Sequence, residues 1–136
     1  MVVRSAIAFF LILTACHSGD SPTDPRSSSS QEHGRLSGVV TIGPNCPGPT
    51  TTQPCSTPPG AYAERKILVF NEAGSTPIAT VDIDSQGLYV IDLAPAKYTV
   101  DIRKVGIDRS GDVPKVVEIR ANTVTKLDIA IDTGIR

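Results

Sequence analysis

Residues 78–104 read IATVDIDSQGLYVIDLAPAKYTVDIRK. Apolar and polar residues alternate along most of this stretch. Val81 and Ile83 alternate with Asp82 and Asp84; Tyr89, Ile91 and Leu93 share one parity; Tyr98, Val100 and Ile102 alternate with Thr99, Asp101 and Arg103. A period of two sends successive side chains to opposite faces of an extended chain, so each run predicts a strand with one buried face. Asp84-Ser85-Gln86-Gly87 separates the first two runs. It reads as a four-residue turn ending on glycine, which adopts positive φ without steric cost.

The same pattern extends in both directions. Strands are predicted at Leu36–Ile42, Arg65–Asn71, Ile78–Asp84, Leu88–Leu93, Lys97–Lys104, Val113–Ala121 and Thr123–Asp132. RKILVFN (65–71) is nearly continuous in apolar residues and fits a central strand; the others each keep one polar face. Leu36, Val40 and Ile42, then Val117 and Ile119, then Leu127, Ile129 and Ile131 take the inward positions. Asn71-Glu72-Ala73-Gly74 is a second turn ending on glycine, and Ala121-Asn122-Thr123 offers asparagine for a left-handed position. Residues 35–136 hold 11 Val and 11 Ile against 5 Leu, a β-branched excess that favours pleated sheet. No window repeats apolar residues at helical spacing. Together these features predict an all-β domain, a seven-stranded antiparallel β-sandwich of the immunoglobulin-like or prealbumin-like kind.

Asp84-Ser85-Gln86-Gly87-Leu88-Tyr89, followed by Leu93-Ala94-Pro95-Ala96-Lys97-Tyr98-Thr99-Val100, resembles a pattern in carboxypeptidase-regulatory-like domains. Leu36, Gly38 and Val40 are similar to that family's first strand, and Ile67–Asn71 with Gly74 to its second strand and turn. The resemblance covers most of residues 35–105. It implies a transthyretin-like (prealbumin-like) seven-stranded sandwich and an accessory, adhesive or spacer role. Ala96 stands where the family usually has glycine.

The chain opens with Met1-Val2-Val3-Arg4, an apolar run SAIAFFLIL (5–13), and Leu13-Thr14-Ala15-Cys16. The run is much shorter than the roughly 20 residues of a membrane-spanning helix. The sequence resembles a bacterial lipoprotein signal peptide over residues 1–15, ending in a lipobox. That resemblance implies cleavage between Ala15 and Cys16, a diacylglycerol on the Cys16 thiol and acylation of the new amino terminus. An ordinary secretory signal with an incidental cysteine is the competing reading. Lipid chains contribute about 0.8 kcal/mol per buried methylene, so two or more anchor a protein stably. His17 stands where inner-membrane lipoproteins of two-membrane bacteria commonly carry Asp, which points to the outer membrane if the organism has one, and otherwise to the outer face of the cytoplasmic membrane. Residues 17–34, HSGDSPTDPRSSSSQEHG, contain no aliphatic or aromatic residue. Such a segment has nothing to bury against its ordering entropy and is expected to be a disordered tether, 16–34 with the anchoring cysteine.

With Cys16 assigned to lipid, Cys46 and Cys55 are left to pair with each other. They flank eight residues inside GPNCPGPTTTQPCSTPPG (43–60), which holds six of the 11 prolines. An exported compartment permits the disulfide, and closing a loop of this size stabilises by about 2.7 kcal/mol in the chain-entropy model. A zinc site is the weaker alternative, since two thiols without histidine make a poor ligand set. The loop suits either a rigid cap on one end of the sandwich or a preorganised recognition loop.

Catalytic groups are scarce. Both histidines, His17 and His33, fall in the expected tether, so the domain lacks the base for Ser–His or Cys–His chemistry. Transthyretin-like hydrolases rely on histidines and a specific C-terminal tail; this chain ends Asp132-Thr133-Gly134-Ile135-Arg136 and has neither. Asp82, Asp84 and Asp92, or Asp108 and Asp112, could be imagined around Ca²⁺, but strand-face and turn carboxylates explain them as well. No catalytic residue, metal or cofactor is expected. Thirteen basic against 14 acidic residues give a formal charge of −1, which provides no field for nucleic acid. Of the domain's few aromatics, Tyr62 alone is expected to be exposed, a thin basis for a sugar site.

The reading is a non-catalytic, lipid-anchored cell-envelope protein with one sandwich that meets an envelope protein partner. Its alternative is a surface glycan or peptide binder using the Cys46–Cys55 loop and Tyr62. A hydrolase with a carboxylate site is the remote alternative.

Overall fold

The computed structural model describes residues 32–48 and 55–136. Within them the chain forms eight strands and no helix: β1 (Gly34–Gly43), β2 (Lys66–Asn71), β3 (Pro77–Asp82), β4 (Leu88–Leu93), β5 (Ala96–Ile102), β6 (Lys115–Ile119), β7 (Val124–Lys126) and β8 (Ile129–Asp132). They make two sheets. One runs β4-β1-β7, with β8 following β7 along the same side of β1; the other runs β3-β2-β5-β6, every pair antiparallel. The inward residues read from the alternation form the core between the sheets. Leu36, Val40, Ile67, Val69, Val100, Ile119 and Ile129 are fully buried. Each such side chain contributes roughly 1.5–3 kcal/mol of transfer free energy.

The all-β sandwich is as expected, but its last part differs. The single strand expected at 123–132 is two short strands, and both pair parallel with β1 rather than antiparallel. The break has a local cause. A Cβ on Gly38 of β1 would lie 1.9 Å from the Leu127 carbonyl oxygen, so the two chains touch backbone to backbone there. The Leu127 N–H still donates to Ser37 O (2.9 Å), but the next β1 donor, Val39 N–H, is taken by the Asp128 carboxylate at 2.8 Å instead of a backbone carbonyl. Side-chain substitution for a ladder bond ends β7 and lets β8 restart. Alternation fixes which residues face inward. It does not encode the direction of a strand pair this distant in sequence.

Two turn readings hold at atomic level. Gly87 has φ +84°, and a Cβ there would come within 2.4 Å of Val40 O. Asp84 secures the turn by accepting the Gln86 and Leu88 N–H groups on Oδ1, both at 2.8 Å. Asn122 takes the left-handed conformation (φ 55°). Ala96 starts β5 and is not among the positive-φ residues, so the turn does without the family's usual glycine. Tyr89 and Tyr98 are both buried, and their hydroxyls donate to Leu127 O (2.6 Å) and Ala94 O (2.9 Å). Burial, reinforced by the Asp128 charge, pushes the Tyr89 phenol well above its ordinary pKa.

Candidate functional site

The most elaborated end of the sandwich is built by the connection between β1 and β2. Cys46 and Cys55 are joined by a disulfide, with Cα atoms 6.0 Å apart. The Asn45 carboxamide sits inside this closure and donates to Ile42 O (3.0 Å), with longer contacts to Cys55 O and Thr57 Oγ1 (both 3.4 Å). Beneath it lies a buried ion pair. Arg65 Nε is 2.7 Å from Asp108 Oδ2, Nη2 is 2.9 Å from Oδ1, and Nη1 donates to Ala61 O at 2.8 Å. The two side chains are only 8% and 2% exposed. Burial alone would raise the Asp108 pKa, but the bonds from Arg65 and from Val105 N–H (3.0 Å) outweigh it and hold the group below its ordinary value. A buried carboxylate is tolerated only with such compensation. Above the pair opens a pocket of about 410 Å³ whose rim includes Pro58, Pro59, Glu64, Ile107 and Ile135.

Tyr62 was expected to be exposed; it is half-buried. One edge of its ring lies close against Gly87, with Cε1 and Cζ 3.1 Å from where a Cβ would stand. A ring held in this way presents part of itself, and not a free platform, to a groove of about 250 Å³ shared with Pro58, Pro59 and Ser85. Cys16 lies outside the described residues.

The carboxylates considered for Ca²⁺ do not converge. Among the described residues no three His, Cys, Asp or Glu gather in a metal-binding group. Asp82 pairs with Lys66, Asp92 with Arg35 (2.7 Å), Asp84 holds its own turn, and Asp112 accepts Ala130 N–H at 2.8 Å. The Arg35 bond draws the Asp92 pKa below its ordinary value.

Two features carry signals in the sequence that the expected site residues do not include. Arg65 shares parity with the inward Ile67 and Val69, so the alternation places it inside. The second is a groove of about 530 Å³ on the outer face of β1 and β4, where Val39, Leu88 and Val90 are 37%, 46% and 55% exposed. Its signal was three apolar residues at outward parity.

No family model matches the sequence, and no curated protein does. Among solved structures, the fold is similar to GBS52, the minor pilin of the Gram-positive pathogen Streptococcus agalactiae. The TM-score is 0.52 at 15% identity, over 74% of this chain and 44% of that one. The Bacillus anthracis TIE protein (TM-score 0.45, 14% identity, 74% and 16% of the two chains) and a DUF3823 family protein from Parabacteroides merdae (0.43, 16%, 73% and 45%) are more distant. The chain thus spans less than half the length of each. At such identity the likeness speaks to the β-sandwich fold.

Proposed function

We propose that this chain is a lipid-anchored cell-envelope protein whose sandwich is a non-catalytic structural and protein-interaction module. The observation that carries the reading is Leu13-Thr14-Ala15-Cys16 behind a short apolar run, placed ahead of a polar stretch and one compact β-sandwich. Cys16 would carry the lipid, the polar stretch that follows it would link membrane to domain, and the sandwich would present its edges and loops outward. Two features support a scaffold role. Every buried side-chain polar atom among the described residues has a partner, and the disulfide and the Arg65–Asp108 pair brace the loop end. The similarity to a minor pilin's fold supports a surface setting.

The experiment is fractionation of the native host. The wild-type chain sediments with membranes and partitions into detergent, whereas Cys16→Ala is released or retained as uncleaved precursor. Equal membrane association of both forms would refute the anchor. The glycan-binding alternative is weakened by the packing of Tyr62 on Gly87. It would be revived by glycan binding that Tyr62→Ala abolishes.

A further inference from the structure

The pocket above the Arg65–Asp108 pair lies at the end of the sandwich where the chain leaves β1. The chain enters that strand at Gly34 and leaves it at Gly43. At about 3.3 Å per residue the strand spans about 30 Å, so the pocket opens far from the polar stretch that precedes the domain. Its volume of about 410 Å³ falls in the range of ligand sites.

The floor of the pocket is polar. Arg65 lines it and commits Nε and Nη2 to Asp108 and Nη1 to Ala61 O. Nη1 and Nη2 each carry a second N–H, and no described residue accepts from either. Because the carboxylate takes the Nε edge of the planar guanidinium, the second Nη2 hydrogen points away from Asp108. A buried N–H gains by meeting an acceptor. Asn45 lines the same pocket. Its Nδ2 is oriented by the carbonyls of Ile42 and Cys55, at 3.0 and 3.4 Å, which leaves Oδ1 as an acceptor. A peptide group is a ligand that answers both, with a carbonyl for Arg65 and an N–H for Asn45.

The wall and its charge narrow the choice further. Pro58, Pro59, Ile107 and Ile135 form an apolar rim, and Ile107 is 65% exposed. The Arg65–Asp108 pair is neutral as a unit. Glu64 is exposed, lines the pocket and has no ion pair among the described residues, so it sets the pocket's net charge. Lys104 and Arg109 belong to the loop after β5 but do not line the pocket, so they weaken this preference without reversing it.

We propose that this pocket binds an exposed segment of a partner protein in which an aliphatic side chain neighbours a lysine or arginine. The aliphatic group packs against Ile107 and the prolines, the cation meets Glu64, and the backbone between them bonds to Arg65 and Asn45. This deepens the protein-interaction reading above and rests on it, but it does not depend on the lipid anchor.

The test uses the full chain in detergent and two peptides, acetyl-Ser-Ile-Lys-Pro-Ser-amide and the same peptide with Glu for Lys, followed by amide and side-chain NMR. The Lys peptide is expected to shift the resonances of Arg65, Asn45 and the 105–108 loop, and to bind about threefold to tenfold more tightly than the Glu peptide, since exposed charge pairs are individually modest. Glu64→Lys, an exposed substitution that leaves the buried pair in place, reverses the preference. Ile107→Ser, also exposed, weakens both peptides by about fivefold. Equal binding of the two peptides, no shifts at millimolar peptide, or binding unchanged by Ile107→Ser would overturn the proposal. So would shifts centred on Val39, Leu88 and Val90 that Val90→Lys removes, because the peptide would then occupy the outer face of β1 and β4. Release of the wild-type chain from membranes would refute the anchor and leave this inference standing, whereas no peptide binding by a chain that does sediment with membranes would overturn this inference alone.

Discussion

Arg65 and Asp108 meet in a two-pronged ion pair, Nε to Oδ2 at 2.7 Å and Nη2 to Oδ1 at 2.9 Å, that joins the segment leading into β2 to the loop after β5. The third guanidinium contact, to Ala61 O, brings in the chain that follows the disulfide. One arginine thus fastens the stretch between Cys55 and β2 onto itself and onto the loop after β5. Its position beside the inward residues of β2 makes it part of the core.

Removing one partner strands the other without solvent. Arg65→Ala is therefore expected to cost about 3–5 kcal/mol. Replacing both, Arg65→Met with Asp108→Leu, restores most of that loss because no charge is left buried. Urea denaturation of the two variants distinguishes the cases. Equal destabilisation by both would mean that packing, and not charge, is what Arg65 supplies.

Gly38 is expected to tolerate no side chain. With the Leu127 carbonyl 1.9 Å from its Cβ position, Gly38→Ala must push β7 and β8 off β1, at about 3 kcal/mol. Gly111→Ala, which meets nothing within 4 Å, should change stability by no more than about 0.5 kcal/mol. Thermal unfolding reports both, and hydrogen exchange in 124–132 should quicken only in the first.

Several carboxylates of the fold have lowered pKa values, Asp132 and Asp108 among them. Asp132 accepts Arg136 Nη2 at 2.8 Å and Gly134 N–H at 2.8 Å, and these bonds hold its pKa at about 2, below the ordinary 3.8. Asp108 is depressed as well. A group with a lowered folded pKa contributes stability that is complete above its unfolded value and lost as pH falls through the folded one. Stability is therefore expected to be flat from neutrality to about pH 5 and to fall below about pH 4. Arg136→Ala should raise the Asp132 titration midpoint, followed by carboxyl NMR, and an unmoved midpoint would contradict the assignment.

Reducing the Cys46–Cys55 bond should lower stability by about 2.7 kcal/mol without dissolving the sandwich, because the bond closes a loop outside the two sheets. Circular dichroism before and after reduction should keep the same β signal, with a lower unfolding temperature.

The strands were legible because each carries its own alternation and its own turn. Tyr89, Val100 and Ile119 are buried where parity put them. Asn122 and Gly87 adopt the backbone conformations their residue types suggested. The parallel pairing of β1 with β7 and β8 was not legible, because it joins distant segments and its break depends on Gly38 meeting Leu127 across space. The partner of Arg65 was not legible either: parity puts Arg65 inside, but Asp108 is 43 residues away and only the fold brings it there. The β4 groove depends on which edge each strand occupies, and that is a property of topology. The proposed anchor, by contrast, rests wholly on the sequence of residues 1–16.

That anchor is tested most directly by the mass of the mature N-terminal peptide from protein extracted from its native membrane. The account expects Cys16 as the first residue, carrying a thioether-linked diacylglycerol, with or without an N-acyl chain. An N-terminus at another residue, or Cys16 bearing an unmodified thiol, would contradict it.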